Sequence, residues 1–280
     1  MSLAVALPCA ALSAVFYGVS TAVQHARANA GAERENVTDL VRLLRDPRWL
    51  LSAGGDAVGL VLQVVALSTG PVVLVQPLLV LAVPVALPVG RLLGGRSPRR
   101  SDYLACTAII AALSLFFSTV GNPGLGKPLT AGAAASSVVL ALLLGAVLCG
   151  LVHARSVSTR AAVYGAVAGA GFGLVGVFLD AASAGWRAAG WRGLAATSGW
   201  VPLAGLAVIG ASALVLTQVS FQVGPLSASF PANEVAAPVM SVALGAAVLH
   251  EQIPTSLAAM TAYLAATAAL IAGTTWLARA

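Results

Sequence analysis

The sequence predicts an all-α integral membrane protein that contains an internal duplication, and two observations carry this prediction. Hydrophobic residues make up 59% of the 280 residues and charged residues only 9%. A soluble fold of this length could not bury so much apolar surface, so lipid must cover it. The second observation is a recurring set of helix-breaking residues: Gly70-Pro71, Pro77 and Pro84 return 154 residues later as Gly224-Pro225, Pro231 and Pro238.

Nine runs of sequence are long and apolar enough to cross a bilayer, which takes about 20 residues each. They are 3–24, 50–69, 72–93, 102–120, 131–152, 161–180, 200–220, 225–249 and 256–277. The first run has no Lys or Arg before Arg27, so it lacks the positive start of a signal peptide. We therefore expect it to remain as a membrane span.

The arginines predict the orientation of the spans. One set of loops, at 25–49, 91–101, 153–160 and the C-terminal end, holds Arg27, Arg34, Arg42, Arg45, Arg48, Arg91, Arg96, Arg99, Arg100, Arg155, Arg160 and Arg279. The opposite set holds Lys127, Arg187 and Arg192. Because cytoplasmic loops are enriched in positive residues, the N-terminus is predicted outside and the C-terminus in the cytoplasm. The preference for Arg over Lys, with abundant Ala, Gly and Val, favours a bacterial plasma (inner) membrane.

Two loops are predicted to lie on the membrane surface. In 36–46 the apolar positions repeat at helical spacing opposite Arg42 and Arg45, which predicts a short cytoplasmic helix ended by Pro47. The segment 181–199, which contains two tryptophans, is predicted to do the same on the outer face.

The duplication divides the chain into a first repeat at 1–120, a linker at 121–160 and a second repeat at 161–280. Spans 1–4 pair with spans 6–9, and span 5 is an unpaired linker helix. Each span matches one that lies five crossings later, an odd number, so the two copies run in opposite directions. The predicted architecture is an inverted repeat of four spans, one span and four spans.

Glu234 is the strongest candidate for chemistry inside the membrane. It lies roughly 14 Å into its span at 1.5 Å per residue, close to the midplane. Ser227, Pro231, Glu234, Pro238 and Ser241 fall at steps of three or four on one helical face. Pro238 has no N–H to bond the carbonyl of Glu234, so a carboxylate and a free carbonyl oxygen share one level. This pattern predicts a proton or cation site. The alternative is a protonated Glu234 that bonds a neighbouring helix.

Asp56 is the second acidic residue well inside a span, about 9 Å deep. Gln63 lies seven residues further on the same face, with Gly59 between them. Asp56 is predicted to bind a substrate or ion together with Gln63. The alternative is a carboxylate that reaches cytoplasmic water or pairs with an arginine of loop 25–49.

A polar stripe on span 1 comprises Ser13, Tyr17, Ser20 and Gln24. Such a stripe lines a polar path, with Tyr17 as the candidate ligand, or merely forms hydrogen bonds between packed helices. The sequence leaves the two interpretations open. Gln218 and Asn233 are further polar candidates of the same kind. Three small residues of span 6, Gly165, Gly169 and Gly173, predict close helix packing without a ligand.

Several function classes find no support in the sequence. The net charge of +6 does not indicate nucleic-acid binding, because the arginines lie in short loops. No glycine-rich phosphate loop precedes a lysine, and no serine or cysteine stands beside a histidine and an acid. The three histidines, His25, His153 and His250, lack metal-ligand spacing. We therefore expect no cofactor, no bound metal and no enzymatic activity.

The second copy resembles an EamA-type domain of the drug/metabolite transporter superfamily. The resemblance is carried by Leu249-His250-Glu251-Gln252-Ile253-Pro254, and by the small-residue stretches Leu264-Ala265-Ala266 and Leu270-Ile271-Ala272-Gly273. It implies a multi-span transporter fold over nearly the whole chain. The first copy departs from the ten-span form, because loop 25–49 is too polar to be a crossing.

The loss of that crossing resembles the NIPA-type branch, whose members are described as magnesium transporters. The local match is Ala53-Gly54-Gly55-Asp56-Ala57, followed by Ala66-Leu67 and the Gly-Pro turn. The resemblance implies Mg²⁺ passage as an alternative function. Mg²⁺ prefers oxygen ligands and often needs only one or two carboxylates. Four residues could supply these oxygens: Asp56, Glu234, Asn233 and Gln63.

The sequence as a whole predicts a secondary transporter that moves a small molecule or ion by alternating access. Glu234 would couple the movement to protons or bind a cation, and Pro77, Pro84, Pro231 and Pro238 would act as helix hinges. A non-transporting scaffold with the same fold is the alternative of a different class. A homodimer is left open.

The orientation is tested with a reporter that is active only in the cytoplasm. The positive-inside rule predicts activity for a fusion after Ala280 and silence for an insertion between Asn122 and Gly126. Activity of both fusions, or of the insertion alone, would contradict the predicted orientation.

Overall fold

The computed structural model describes residues 2–29, 47–93, 99–124, 126–224 and 226–279, and the secondary structure in these ranges is helical. Nine long helices account for most of the described residues. They are α1 (Leu3–Asn29), α2 (Pro47–Thr69), α3 (Val72–Leu92), α4 (Arg100–Val120), α5 (Ala131–Leu151), α6 (Val157–Ala189), α7 (Thr197–Val223), α8 (Leu226–Ala247) and α9 (Leu257–Arg279). Each coincides with one of the predicted runs.

Eight of the nine helices in the described ranges are long and apolar enough to cross a membrane. The exception is α8. Its 22 residues suffice for a bilayer, but Asn233, Glu234 and two prolines make it less apolar than the others. The structure therefore confirms an all-α, multi-pass membrane protein and supports eight crossings by length and composition, one fewer than predicted.

α6 corrects one boundary. The predicted span ended at Asp180, but the helix continues to Ala189, so the first half of the predicted surface segment 181–199 is wrong. No proline or glycine cap stops the helix before Gly190, whose φ of 57° ends it. A short helix, Trp191–Ala195, follows, and the rings of Trp186 and Trp191 are 4.9 Å apart. The predicted surface helix at 36–46 lies outside the described residues.

α3 is interrupted at its centre. Its α-helical segments are Val72–Leu78 and Ala82–Leu92, separated by a 3-10 turn at Leu79–Leu81. The turn lies between Pro77 and Pro84, each of which lacks the N–H that would continue the α-helical bonding. α8 carries prolines at the matching positions and yet stays α-helical throughout. The two copies therefore differ at their central helices.

A close contact between helices occurs twice in the chain. A Cβ atom added to Gly18 of α1 would lie 2.5 Å from the Ala82 carbonyl oxygen of α3. In α6, 155 residues later, a Cβ on Gly173 would lie 2.5 Å from the Ala237 carbonyl oxygen of α8. Two more contacts repeat in the second copy. Gly55 faces Ser20, and at the matching positions Gly210 faces Val175. Gly70 likewise faces Ala6, and Gly224 faces Ala161. The duplicated sequence thus forms duplicated packing.

The predicted role of the glycines in α6 is confirmed. Successive glycines of this helix, Gly165, Gly169 and Gly173, meet the backbone of α8 at Ser229, Asn233 and Ala237 in the same order. α6 and α8 therefore run parallel with their backbones in contact. Small residues permit such an approach, and in lipid this packing stabilises helix pairs.

α5 lies at the edge of the bundle. It contacts α7 and α6, and most of its large side chains are exposed, including Leu143 at 60% and Val147 at 55%. Exposed aliphatic side chains on a helix of this length are suited to contact with lipid chains.

The duplicated glycine contacts predict a matched pair of stability effects. Gly18→Ala and Gly173→Ala should each lower the free energy of unfolding by about 1–3 kcal/mol, because the new methyl group meets a backbone carbonyl. Gly150→Ala in α5 is the control, since no described atom lies within 4 Å of its added Cβ. Thermal melting in detergent measures the effect. A wild-type melting temperature for Gly173→Ala would refute the close packing.

Candidate functional site

The polar stripe of α1 lies against α2. The Ser13 hydroxyl donates to the Gly59 carbonyl oxygen at 2.7 Å, and the Tyr17 hydroxyl donates to Gln63 Oε1 at 2.9 Å. Ser13, Ser20 and Gln63 are all buried. Of the two interpretations of this stripe, hydrogen bonding between packed helices accounts for these residues, and Tyr17 with Gln63 forms its polar centre.

Asp56 belongs to the same part of the molecule. It is half-buried, interacts electrostatically with Tyr17, and has an interaction partner of its own. The structure therefore brings three of the predicted site residues together, Tyr17, Asp56 and Gln63. A carboxylate, a hydroxyl and an amide oxygen are all ligands suited to a hard cation.

Asn233 lies elsewhere, between α8 and its neighbours α6 and α7. Its Nδ2 donates to Thr217 Oγ1 at 3.0 Å, and its backbone carbonyl abuts Gly169. The side chain is buried. These contacts give Asn233 a packing role between helices. The neighbouring side chain of Gln218 lies outside the described part of the structure.

Glu234 differs from Asn233 although the two are adjacent. The carboxyl group is half-buried and has no hydrogen-bond or ion-pair partner among the described residues. Within the described residues, no hydrogen bond joins the Glu234 carboxyl group to Tyr17, Asp56 or Gln63. Glu234 shares a helical face with Gly245, three turns further on, and Gly245 meets Val73 of α3. Glu234 therefore faces the side of α8 on which α3 lies.

The start of α3 is capped by a carboxylate from a distant part of the chain. Glu251 accepts hydrogen bonds from the backbone N–H groups of Val72 and Val73, both at 2.8 Å. These two N–H groups belong to the first turn, so the helix itself offers them no acceptor. The tight turn before Glu251 places His250 at a φ of 57°, a conformation that favours glycine. The glutamate is buried, with 4% of its surface exposed.

A second carboxyl group lies close to this cap. Asp180 of α6 interacts electrostatically with Glu251 and with Arg187. Gln76, one helical turn into α3, is also buried, and its Nε2 has no hydrogen-bond partner in the described residues. The Gln76 amide rests on Gly176, one turn before Asp180. These three polar residues line the interface of α3 with α6 near the cap.

Sequence reasoning missed this cluster. In the sequence, Glu251 is part of the Leu249–Pro254 motif, just after a predicted span, and Asp180 lies at the predicted end of another span. The position of each acid is the one available signal, and neither position predicts that the two acids meet. Only the fold brings Glu251 to Val72, because 179 residues separate them.

Burial raises the pKa of the Glu251 carboxyl above its ordinary value, and the N–H groups of Val73 and Val72 partly offset this rise. The folded protein therefore holds this proton more tightly than the unfolded chain. By linkage, the resulting stability is present at low pH and is lost as the pH rises through the folded pKa.

The central helices meet at one end of the bundle and separate toward the other. A Cβ atom on Gly245 of α8 would lie 2.8 Å from Val73 Cγ2 and 3.0 Å from Glu251 Oε2. The position 155 residues earlier is Gly90 of α3, and no described atom lies within 4 Å of a Cβ placed there. The first segment of α3 contacts α8, whereas few contacts join its second segment to that helix. The contact between the copies is therefore one-sided.

A cavity of about 710 Å³ lies between α5 and the helices α6, α7 and α8. Its described lining is mostly aliphatic and includes none of the predicted site residues. The cavity is thus separate from both carboxyl sites, and its chemistry suits hydrocarbon rather than a polar solute.

No family model and no solved structure matches the chain. An uncharacterized protein of Corynebacterium glutamicum is 30% identical to it over 217 residues, which span 76% of this chain and 73% of that protein.

The apolar helices, the contacts between helices and the acidic residues among them define the class: a multi-pass α-helical membrane protein. Within that class, the chain belongs to the same family as the uncharacterized C. glutamicum protein.

Removal of the Glu251 cap should weaken the end of the bundle that it joins. Glu251→Ala leaves two first-turn N–H groups without an acceptor and should cost about 1–3 kcal/mol. Glu251→Gln, which cannot ionise, should instead flatten the fall in melting temperature as the pH rises from about 4.3, the ordinary glutamate value. Gln252→Ala, an exposed neighbour, is the control. An unchanged pH profile in Glu251→Gln would assign the dependence to another group.

Proposed function

We propose that the chain is a secondary transporter of the drug/metabolite transporter type, which moves a small solute by alternating access between two inverted halves. It would lie in a bacterial plasma membrane with its N-terminus outside. α8 would cross the membrane beside α6, because the two helices run parallel in close contact. The proposal needs two rigid halves, a variable contact between them and a site that binds the solute or a coupling ion.

One observation carries the proposal: contacts within the halves are duplicated, whereas a contact between the halves is not. Gly18 packs on α3 in the same way as Gly173 packs on α8. By contrast, Gly245 touches α3, whereas no described atom lies within 4 Å of a Cβ added to Gly90, close to the matching position of α3. Two similar halves whose central helices, α3 and α8, meet at one end correspond to one state of an alternating-access cycle. Motion of one half against the other would exchange which end is closed.

The hydrogen bonds of Glu251 help to explain why α3 and α8 meet at one end of the bundle. Glu251 belongs to the second half and bonds the first turn of α3 in the first half. The residue 154 positions earlier is Ser97, which has no carboxylate. The two ends therefore differ in chemistry, and the Glu251 end is stabilised by two hydrogen bonds to the Glu251 carboxyl group.

Glu234 is the residue that we propose for coupling or substrate binding. A carboxyl group inside a membrane span is costly and usually serves a function. Glu234 faces the side of α8 toward α3, and no described residue occupies its carboxyl group. An acid with no partner among the described residues can bind a proton or a cation.

Mg²⁺ transport is the second candidate. The observation that favours it is the grouping of Tyr17, Asp56 and Gln63, whose oxygen atoms suit a hard cation. In this case the α1–α2 interface, rather than Glu234 alone, would provide the ion site. A scaffold without transport activity remains the alternative of another class.

Membrane vesicles that contain the full-length protein distinguish these functions. Uptake and efflux of Mg²⁺, amino acids and organic cations would be measured with and without a proton gradient. Gradient-dependent movement of one organic solute supports the first proposal, and Mg²⁺ flux alone supports the second. Absence of every flux above that of empty vesicles would favour the scaffold.

Glu234→Gln separates the roles of the carboxyl group. The amide keeps the size and the hydrogen-bonding reach but cannot change charge. In a proton-coupled transporter the variant should bind solute and lose uphill transport while exchange persists. In a cation-binding site it should lose affinity, because an amide oxygen attracts a cation less than a carboxylate does. Gln252→Ala, an exposed position outside the spans, is the control. Normal uphill transport by Glu234→Gln would leave only a structural role.

The prolines of α3 and α8 predict a kinetic effect. Pro77→Ala and Pro231→Ala restore a backbone N–H and should stiffen the two helices. The variants should reach normal membrane levels and transport more slowly, because alternating access requires the helices to bend. Pro84→Ala and Pro238→Ala should behave alike. Wild-type rates in both Pro77→Ala and Pro231→Ala would refute the hinge role.

A further inference from the structure

A furrow runs between α4 and α9 at the end of the bundle where α9 finishes. It has a volume of about 660 Å³ and is open on one side. Arg99 and Ser101 line it from the start of α4, and Ala268, Ile271, Ala272 and Trp276 line it from α9. We call it the α4–α9 furrow. None of the candidate transport residues takes part in it.

The helix packing explains why the furrow exists. Gly273 brings α9 against α4, since its added Cβ would lie 2.9 Å from the Ala105 carbonyl oxygen and 2.8 Å from Ile109 Cγ1. On the adjacent face of α9, Ala268 and Ala272 lie one turn apart and are too small to fill the angle between the helices. The walls are therefore fixed by a close backbone contact, and the space is bounded mainly by methyl groups, with the side chains of Ser101 and Thr275 also in its lining.

The mouth of the furrow is positively charged. Arg99 is exposed, and so is its neighbour Arg100. The nearby acid, Asp102, is fully buried, and its Oδ2 accepts the backbone N–H of Arg99 at 2.7 Å. Its carboxylate is thus turned into the protein. The guanidinium of Arg99 remains available to an anion, in the set of loops predicted to face the cytoplasm.

The furrow changes from polar to apolar along its length. Trp276 is 55% exposed at the same end as Arg99, as an interfacial tryptophan would be. From there to Ala268 the wall extends about 12 Å toward the membrane interior at 1.5 Å per residue. A soluble phosphate would satisfy the arginine but leave the apolar wall uncovered. A ligand with a phosphate and a hydrocarbon chain matches both parts.

We propose that the α4–α9 furrow binds one anionic phospholipid. Its phosphate lies at Arg99 and Trp276, and an acyl chain runs along Ala272 and Ala268. Basic pockets between membrane helices bind anionic head groups through the same charge complementarity. A zwitterionic lipid fits the furrow less well, because its choline group would lie near Arg99 and Arg100.

Native mass spectrometry of the full-length protein in detergent tests the site. Phosphatidylglycerol and phosphatidylcholine with identical chains are titrated onto wild type, Arg99→Gln and Arg155→Gln. Arg155 is an exposed arginine in the loop after α5 and serves as the control. We expect wild type and Arg155→Gln to prefer phosphatidylglycerol by about fivefold, and Arg99→Gln to lose that preference. Equal binding of both lipids by wild type overturns the proposal, as does an equal loss in both variants.

Two further arms distinguish a lipid from a simple anion. Ala268→Leu fills the apolar end of the furrow and, because Ala268 is exposed, should fold normally. It should weaken binding of both lipids. Inorganic phosphate should not raise the melting temperature of the wild type, whereas phosphatidylglycerol should. Equal stabilisation by phosphate, or unchanged lipid binding by Ala268→Leu, would overturn the assignment of an acyl chain.

Discussion

The close approach of helices through glycine is the constraint on which the rest of the structure depends. Lipid chains are as apolar as the side chains that face them, so helices in a membrane gain little from hydrophobic burial against each other. Close contact between helix backbones, rather than hydrophobic burial, therefore holds these helices together. Along α6, glycines at four-residue steps bring the backbone of α8 within van der Waals distance. This contact fixes the rotation of α8 about its own axis.

That rotation decides what the polar residues of α8 can do. Asn233 is turned toward α7, where Thr217 accepts its hydrogen bond. Glu234, 100° further round the helix, is turned toward α3 and has no described partner. Two adjacent polar residues thus acquire different roles, one in packing and one available to a solute or proton.

The glycine contacts also distinguish the rigid groups of helices from the contacts between them that can change. Repeated glycine contacts hold α1, α2 and α3 together in the first half and α6, α7 and α8 in the second, so each set of three helices is expected to behave as a unit. The halves meet between α3 and α8 through Gly245 and the Glu251 cap, and between α4 and α9 through Gly273, which packs on Ala105. Beside the cap, Leu249 packs with Val72 and Val75 in a buried apolar cluster, so hydrogen bonds and apolar packing together join the halves at this end.

Local sequence predicted much of the helical framework. The nine runs became helices because apolar length and helix-stopping residues act over a few neighbours. Where the prediction erred, as at Asp180, no stop signal preceded Gly190 and the helix simply continued. Nine crossings were predicted, but composition supports eight, because the polar residues Asn233 and Glu234 make α8 less apolar than the other long helices. The matched prolines likewise could not reveal that α3 is broken and α8 is not.

The sequence by itself therefore determined that lipid surrounds the protein, where the helices lie, that the chain is duplicated and which acids are candidates. Each of these depends on composition or on spacing along one chain. Only the tertiary structure decided which polar groups meet. It paired Tyr17 with Gln63, gave Asn233 to Thr217, and brought Glu251 to the first turn of α3. Hydrogen bonds act over about 3 Å. Which atoms come that close is set by how the helices cross and rotate, and this is not encoded in any single segment.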